Sequence, residues 1–164
     1  MTLEESVNPK DELVNLIKAN TKIIQIISYE TLMIHAHIAK AASELEREFY
    51  MWNRVDGIKK WDSEKAIFTT NNDDSDKWQP KDAFVFFSNH ENIILLLEDF
   101  HPDLTDNQPH SIKRLRNVAM DNNKKRTLIL SQPFRLLPKE LEKEVHIMEL
   151  PCPSRGDLTE IFKR

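Results

Sequence analysis

Two adjacent carboxylates, Glu98 and Asp99, follow an unbroken apolar run in the segment IILLLEDFHPDL, Ile93 to Leu104. An apolar run of this kind, bounded by polar residues, describes a strand buried on both faces, as in a parallel α/β sheet. Ligands of such sheets settle outside the carboxyl ends of the strands, so the pair projects toward the place where a nucleotide-bound magnesium ion is ordinarily held. The complementary piece is not in the sequence. The chain has two glycines, Gly57 and Gly156, so the loop G-x-x-x-x-G-K-[ST], whose backbone N–H groups cradle phosphate, cannot be written anywhere in it. Without a cradle no substrate is positioned for the acids. The competing reading is that Glu98 and Asp99 cap a strand end and hydrogen-bond the neighbouring loop.

Other residue groups offer less. The stretch DFHPDLTDNQPH gathers Asp99, His101, Asp103, Asp106 and His110, enough donors for a metal, but their spacing matches no recognised metal motif and a polar loop over a sheet edge has the same composition. No metal site is expected. His35 and His37 stand two apart on an expected helix and so point to different faces, one packed and the other solvated. Nucleophile chemistry needs a base within reach and often a tight G-x-S-x-G turn, which does not occur. Trp61 and Trp78 flank the acidic run TTNNDDSD, and packing competes with a docking surface there.

Composition narrows the field further. A net charge of -4 argues against a dedicated nucleic-acid binder, which needs clustered cations to neutralise phosphates. Local basic groups do occur, Lys113, Arg114 and Arg116 on one expected helix and Lys124, Lys125 and Arg126 after it; they read first as solvated surface. No apolar run is long enough to span a bilayer. The amino-terminal MTLEESVNPKDEL lacks a basic start followed by an apolar stretch, and Cys152 is the single cysteine. Together these make the cytoplasm the expected compartment.

Residues 1–164 are too few for two ordinary domains and enough for one buried core. Periodicity predicts a short helix over 11–20, within a 1–20 amino-terminal extension, and a strand over Lys22–Ser28. A long helix over 29–48 and an aromatic strand over Phe49–Asn53 follow, the latter ending in a turn at Asp56 and Gly57. Residues 59–80 read as a long loop, 81–90 as a helix, Ile93 onward as the third strand, and SIKRLRNVAMDNN as a helix started by Pro109. Arg126–Ser131 and Val145–Leu150 make the fourth and fifth strands, and Ser154 is placed to cap a last helix. Strands alternating with helices imply parallel pairing and right-handed crossovers, hence a three-layer α/β/α sandwich.

Three segments of this layout resemble the nucleotide-binding subdomain of AAA-type ATPases: IILLLEDFHPDL is similar to the acidic magnesium strand, RTLILSQP to the strand ending in a polar sensor residue, and LPKELEKEVHIMELPCPSRGDLTEIFKR to the family's closing stretch. The phrases EDFHP, LILSQ and LPKELEKEV are further similar to the amino-terminal, loop-less domain of large AAA ATPases of cyanobacteria and plastids. The resemblance implies a five-stranded, mostly parallel sheet of P-loop NTPase type in the order 5-1-4-3-2. It implies vestigial nucleotide-site positions at Glu98, Asp99, Ser131 and Gln132.

The departures from that family bear on function. Where a phosphate loop would follow the first strand, the chain has Ser28, Tyr29, Glu30, Thr31 and Leu32, which place bulk and a negative charge at a helix N-terminus. Where active domains carry a Pro-Gly-Arg-Phe segment, the chain reads LEKEVHI, and Lys143 lacks the guanidinium fork. The expectation is a non-catalytic AAA-like domain within a longer ATPase, serving assembly, regulation or partner binding, with protein partners or self-association through an AAA-like ring. No catalytic residue, cofactor or membrane is expected. The alternatives are a residual ATPase that binds ATP and magnesium through Glu98 and Asp99, and a nucleic-acid accessory module built on Arg114, Arg116, Lys124 and Lys125.

Overall fold

β-Branched and leucine-rich runs form the middle of the sheet, and helices with one apolar stripe cover its two faces. The computed structural model describes residues 9–70, 76–122 and 125–150. Along the chain come α1 (Pro9–Lys18), β1 (Ile23–Ile27), α2 (Thr31–Glu44), β2 (Glu48–Asn53), β3 (Gly57–Asp62) and β4 (Ile67–Thr70). They are followed by α3 (Pro80–Asn89), β5 (Ile93–Glu98), α4 (Pro109–Ala119), β6 (Arg126–Gln132) and β7 (Val145–Glu149), with 3-10 turns at His101–Leu104 and Lys139–Leu141. The expected last helix, Cys152, Lys124 and residues 71–75 lie outside the described residues.

The sheet has seven strands in the order β4-β3-β2-β5-β6-β1-β7. Five of them, β7, β1, β6, β5 and β2, are parallel and lie in the order implied by the family resemblance. The five-stranded expectation is corrected at one edge, where β3 and β4 pair antiparallel in the segment read as a loop over 59–80. Gly57, at φ 71, sits in the left-handed region where its lack of a Cβ matters, and the chain reverses there into β3. Asp62 Oδ1 then accepts from the N–H groups of Glu64 and Lys65 at 3.0 and 3.2 Å, closing the turn into β4. Trp61 and Phe68 of this hairpin pack with Phe49 of β2.

Alternation along the parallel strands feeds two cores. Ile24, Ile26, Ile94, Leu96 and Ile129 face α1 and α2, while Ile23, Leu95, Leu97, Leu128 and Leu130 face α3 and α4. This is the three-layer sandwich. Pro80 and Pro109 occupy the first turns of α3 and α4, where a missing N–H costs nothing. At α3 the backbone N–H of Gln79 also donates to Asp82 Oδ2, one half of a capping box. α2 is shorter than the 29–48 expectation. It stops at Glu44, and the chain leaves through Glu46 at φ 56 with the N–H of Arg47 donating to the carbonyl of Ala42.

Candidate functional site

Parallel pairing brings the carboxyl ends of β2, β5, β6, β1 and β7 to one edge of the sheet, and most of the sequence-predicted site residues collect there. β1 passes into α2 through only Ser28, Tyr29 and Glu30. None of the three has a positive φ. The N–H of Glu30 is already taken, donating to Ser28 Oγ at 3.0 Å, and the carbonyl of Glu30 receives the N–H of Ile34 as the helix begins. A phosphate cradle needs consecutive N–H groups converging on one anion, usually with left-handed residues between them. Within this bend the N–H groups of Ser28 and Glu30 are both engaged, that of Ser28 by the carbonyl of Gln132. Tyr29 and Leu32 instead extend outward, 81% and 68% exposed.

At the end of β5 the two acids part company. Asp99 adopts φ 51, a left-handed conformation that aspartate tolerates, and is exposed. Glu98 turns to the α2 side, where His35 Nε2 lies 3.4 Å from Oε1 and Asn53 Nδ2 lies 3.4 Å from Oε2. Asn53 also donates to Asp56 Oδ2 at 3.1 Å. His35 is held edge-on by Phe68, with ring centroids 5.0 Å apart. The side chains of His35 and Glu98 are only 12% and 13% exposed, so protein groups crowd the acid. His37 is half-buried like His35, which corrects the expectation that one would be packed and the other solvated.

On the opposite face of the same strand ends lies Gln132, at the sensor position of the resemblance. Gln25 Nε2 donates to Gln132 Oε1 at 2.9 Å and to the carbonyl of Leu136 at 3.1 Å. Gln132 Nε2 donates to the carbonyls of Phe134 and Leu136 at 2.9 and 3.0 Å. Both amides are buried, and together they tie β1, β6 and the chain after β6 into one unit. Ser131 is buried on the α2 side of β6, in register with Glu98.

The loop after β5 spreads its donors apart. Asp103 is buried and ion-paired with Arg54, whose guanidinium also lies 5.4 Å from the ring centre of Trp52. Burial lowers the Arg54 pKa without removing its charge. His101 packs edge-on against Phe134. Among the described residues no group of three or more His, Cys, Asp or Glu side chains is gathered to hold a metal ion. Trp61 is packed and Trp78 is half exposed. Of the basic residues, Lys113, Arg116 and Lys125 are exposed and Arg114 half-buried.

Sequence reasoning missed Gln25, His35, Asn53 and Arg54 as members of this edge. Gln25 carried a usable signal: a lone amide inside the buried run IIQII must find a partner. His35 and Asn53 carried none, because only the fold sets them beside Glu98.

Comparison with known proteins agrees with this architecture. Two point variants of RuvB from Thermotoga maritima align over 96% of this chain at 17% identity, with TM-scores of 0.54 and 0.55. At that identity the likeness concerns the fold, and the chain spans about half, 49%, of each of those proteins. A search of curated proteins gives no match. Among the described residues no helix is long and apolar enough to cross a membrane. The profile for the amino-terminal domain of SpoVK-like AAA ATPases matches residues 9–150, and the chain therefore belongs to that family.

Proposed function

We propose that this is a non-catalytic AAA-type domain of a larger AAA ATPase, contributing to assembly, regulation or partner binding instead of to phosphate chemistry. The observation that carries the reading is the three-residue Ser28–Glu30 bend, which has no positive φ and has the N–H groups of Ser28 and Glu30 already engaged. Glu30 sits where a phosphate would approach the N-terminus of α2; its charge suits the helix dipole by about 0.3–1 kcal/mol and repels a triphosphate. At Glu98, which the resemblance marks as a magnesium-strand acid, His35 and Asn53 lie against the carboxylate. The Gln132 amide, which in an intact site would orient water, is spent on Gln25 and on two backbone carbonyls.

The family supports the larger setting, because its members are amino-terminal domains of AAA ATPases. The finer likeness to the ATPases of cyanobacteria and plastids rests on the phrases EDFHP, LILSQ and LPKELEKEV and points to the same arrangement. Self-association through an AAA-like ring belongs to this reading. Calorimetric titration of the 164-residue chain with ATP and magnesium tests it. No saturable heat is expected. A saturable heat abolished by Glu98→Gln would establish the residual nucleotide-binding alternative and overturn the proposal.

A further inference from the structure

Away from the strand ends, α3 and α4 leave a groove of about 570 Å³ between them. Its floor is apolar, formed by Phe84, Phe87 and Val118, and Val85 stands on its lip 58% exposed. Water is thus left against hydrocarbon that neither helix covers. The charge around it opposes that of the chain as a whole. Asp121 and Arg126, at one end, neutralise each other through an ion pair of 3.2 Å, and Arg126 also donates to the carbonyl of His90. Lys81 and Arg114 remain. Neither makes a hydrogen bond or ion pair with another described residue, so among the described residues the groove keeps two unpaired cations, on a chain of net charge -4.

We infer that the α3–α4 groove is a docking site for an acidic amphipathic helix of a protein partner. A channel between two neighbouring helices with an apolar floor is the setting in which a third helix lays down its apolar stripe, at i, i+3, i+4 and i+7. Glutamates or aspartates flanking that stripe meet Lys81 and Arg114, which fix orientation and quicken encounter. Nucleic acid fits this face poorly, because phosphates have no use for Phe84, Phe87 and Val85, and two cations displace few counterions.

The inference rests on the partner-binding reading above, but its test uses no nucleotide, so the two fail separately. The probe is a fluorescently labelled synthetic helical peptide with leucines at those spacings and glutamates elsewhere, titrated into the 164-residue chain. The controls are a scrambled peptide of the same composition, a lysine version and a labelled DNA oligonucleotide. Saturable binding on the order of micromolar is expected for the glutamate peptide alone, weakening with salt. Val85→Asp should weaken it by at least about tenfold, by setting a charge on the lip. The pair Lys81→Glu and Arg114→Glu should weaken it about tenfold while giving the lysine peptide measurable affinity, which also shows that the variant is folded. Failure of the glutamate peptide to bind, equal binding of the scrambled peptide, indifference to all of these substitutions, or preference for the oligonucleotide would each overturn the inference.

Discussion

Two polar clusters sit at the same strand ends on opposite faces of one sheet, and they are built differently. In the Gln25–Gln132 cluster both side chains are buried and joined by hydrogen bonds of 2.9–3.1 Å to amide and backbone carbonyl partners, with Gln25 Oε1 alone lacking a partner among the described residues. The Glu98 cluster is looser, its contacts from His35 and Asn53 both at 3.4 Å and its members slightly open to solvent. The difference separates two kinds of polar position: Gln132 joins β1 to β6 through short hydrogen bonds, whereas Glu98 meets its neighbours only through longer contacts.

Unfolding in urea breaks or sharpens this contrast, and the larger effect is expected at Gln132. Gln132→Leu keeps the volume but leaves the Phe134 carbonyl without this donor and removes a partner of the buried Gln25. A loss of about 1–3 kcal/mol follows, read as a lower midpoint at unchanged slope. Glu98→Gln should cost less than about 1 kcal/mol, since contacts of 3.4 Å contribute little and a neutral amide can still meet Asn53 and His35. Equal losses for the two substitutions would show that Glu98 is as much a part of the scaffold as Gln132.

The sequence disclosed the middle of this fold better than its edge. β5 announced itself because a strand covered on both faces has no polar alternation to blur it, and the order of the parallel strands came with the family resemblance. The β3–β4 hairpin was hidden for the opposite reason: it is short, its outer residues other than Ile67 are polar or charged, and only Ile58, Trp61 and Phe68 reach the core. The early stop of α2 was hidden too, because Glu46 takes the left-handed position that a glycine usually marks. At the site, Glu98 was nameable by its place at a strand end and Gln132 through the family resemblance. Their partners His35 and Gln25 are 63 and 107 residues away in sequence, and no local pattern joins them.

The smallest effect expected lies at the foot of β2, far along the strand from Asn53, and it separates surface electrostatics from both clusters. Glu48 Oε1 accepts from Lys60 Nζ at 3.1 Å and Oε2 accepts from the Tyr50 hydroxyl at 3.1 Å. The Lys60 hydrogen bond foremost, and then its charge, hold the Glu48 carboxyl below its ordinary pKa against the opposing pull of burial. A carboxylate depressed in the folded state binds its proton more readily when unfolded. Its stabilisation is therefore complete above the ordinary glutamate value of about 4.3 and drains away as pH falls through the lower folded value. With the side chains of Lys60 and Glu48 48% and 52% exposed, solvent screening keeps the contribution to about a few tenths of a kcal/mol. Glu48→Gln should remove that amount at neutral pH and progressively less as pH falls through the lowered folded value, and salt should shrink it further. A Glu48→Gln loss that persisted undiminished in acid would place the stabilisation in packing of the side chain against Tyr50 instead of in its charge.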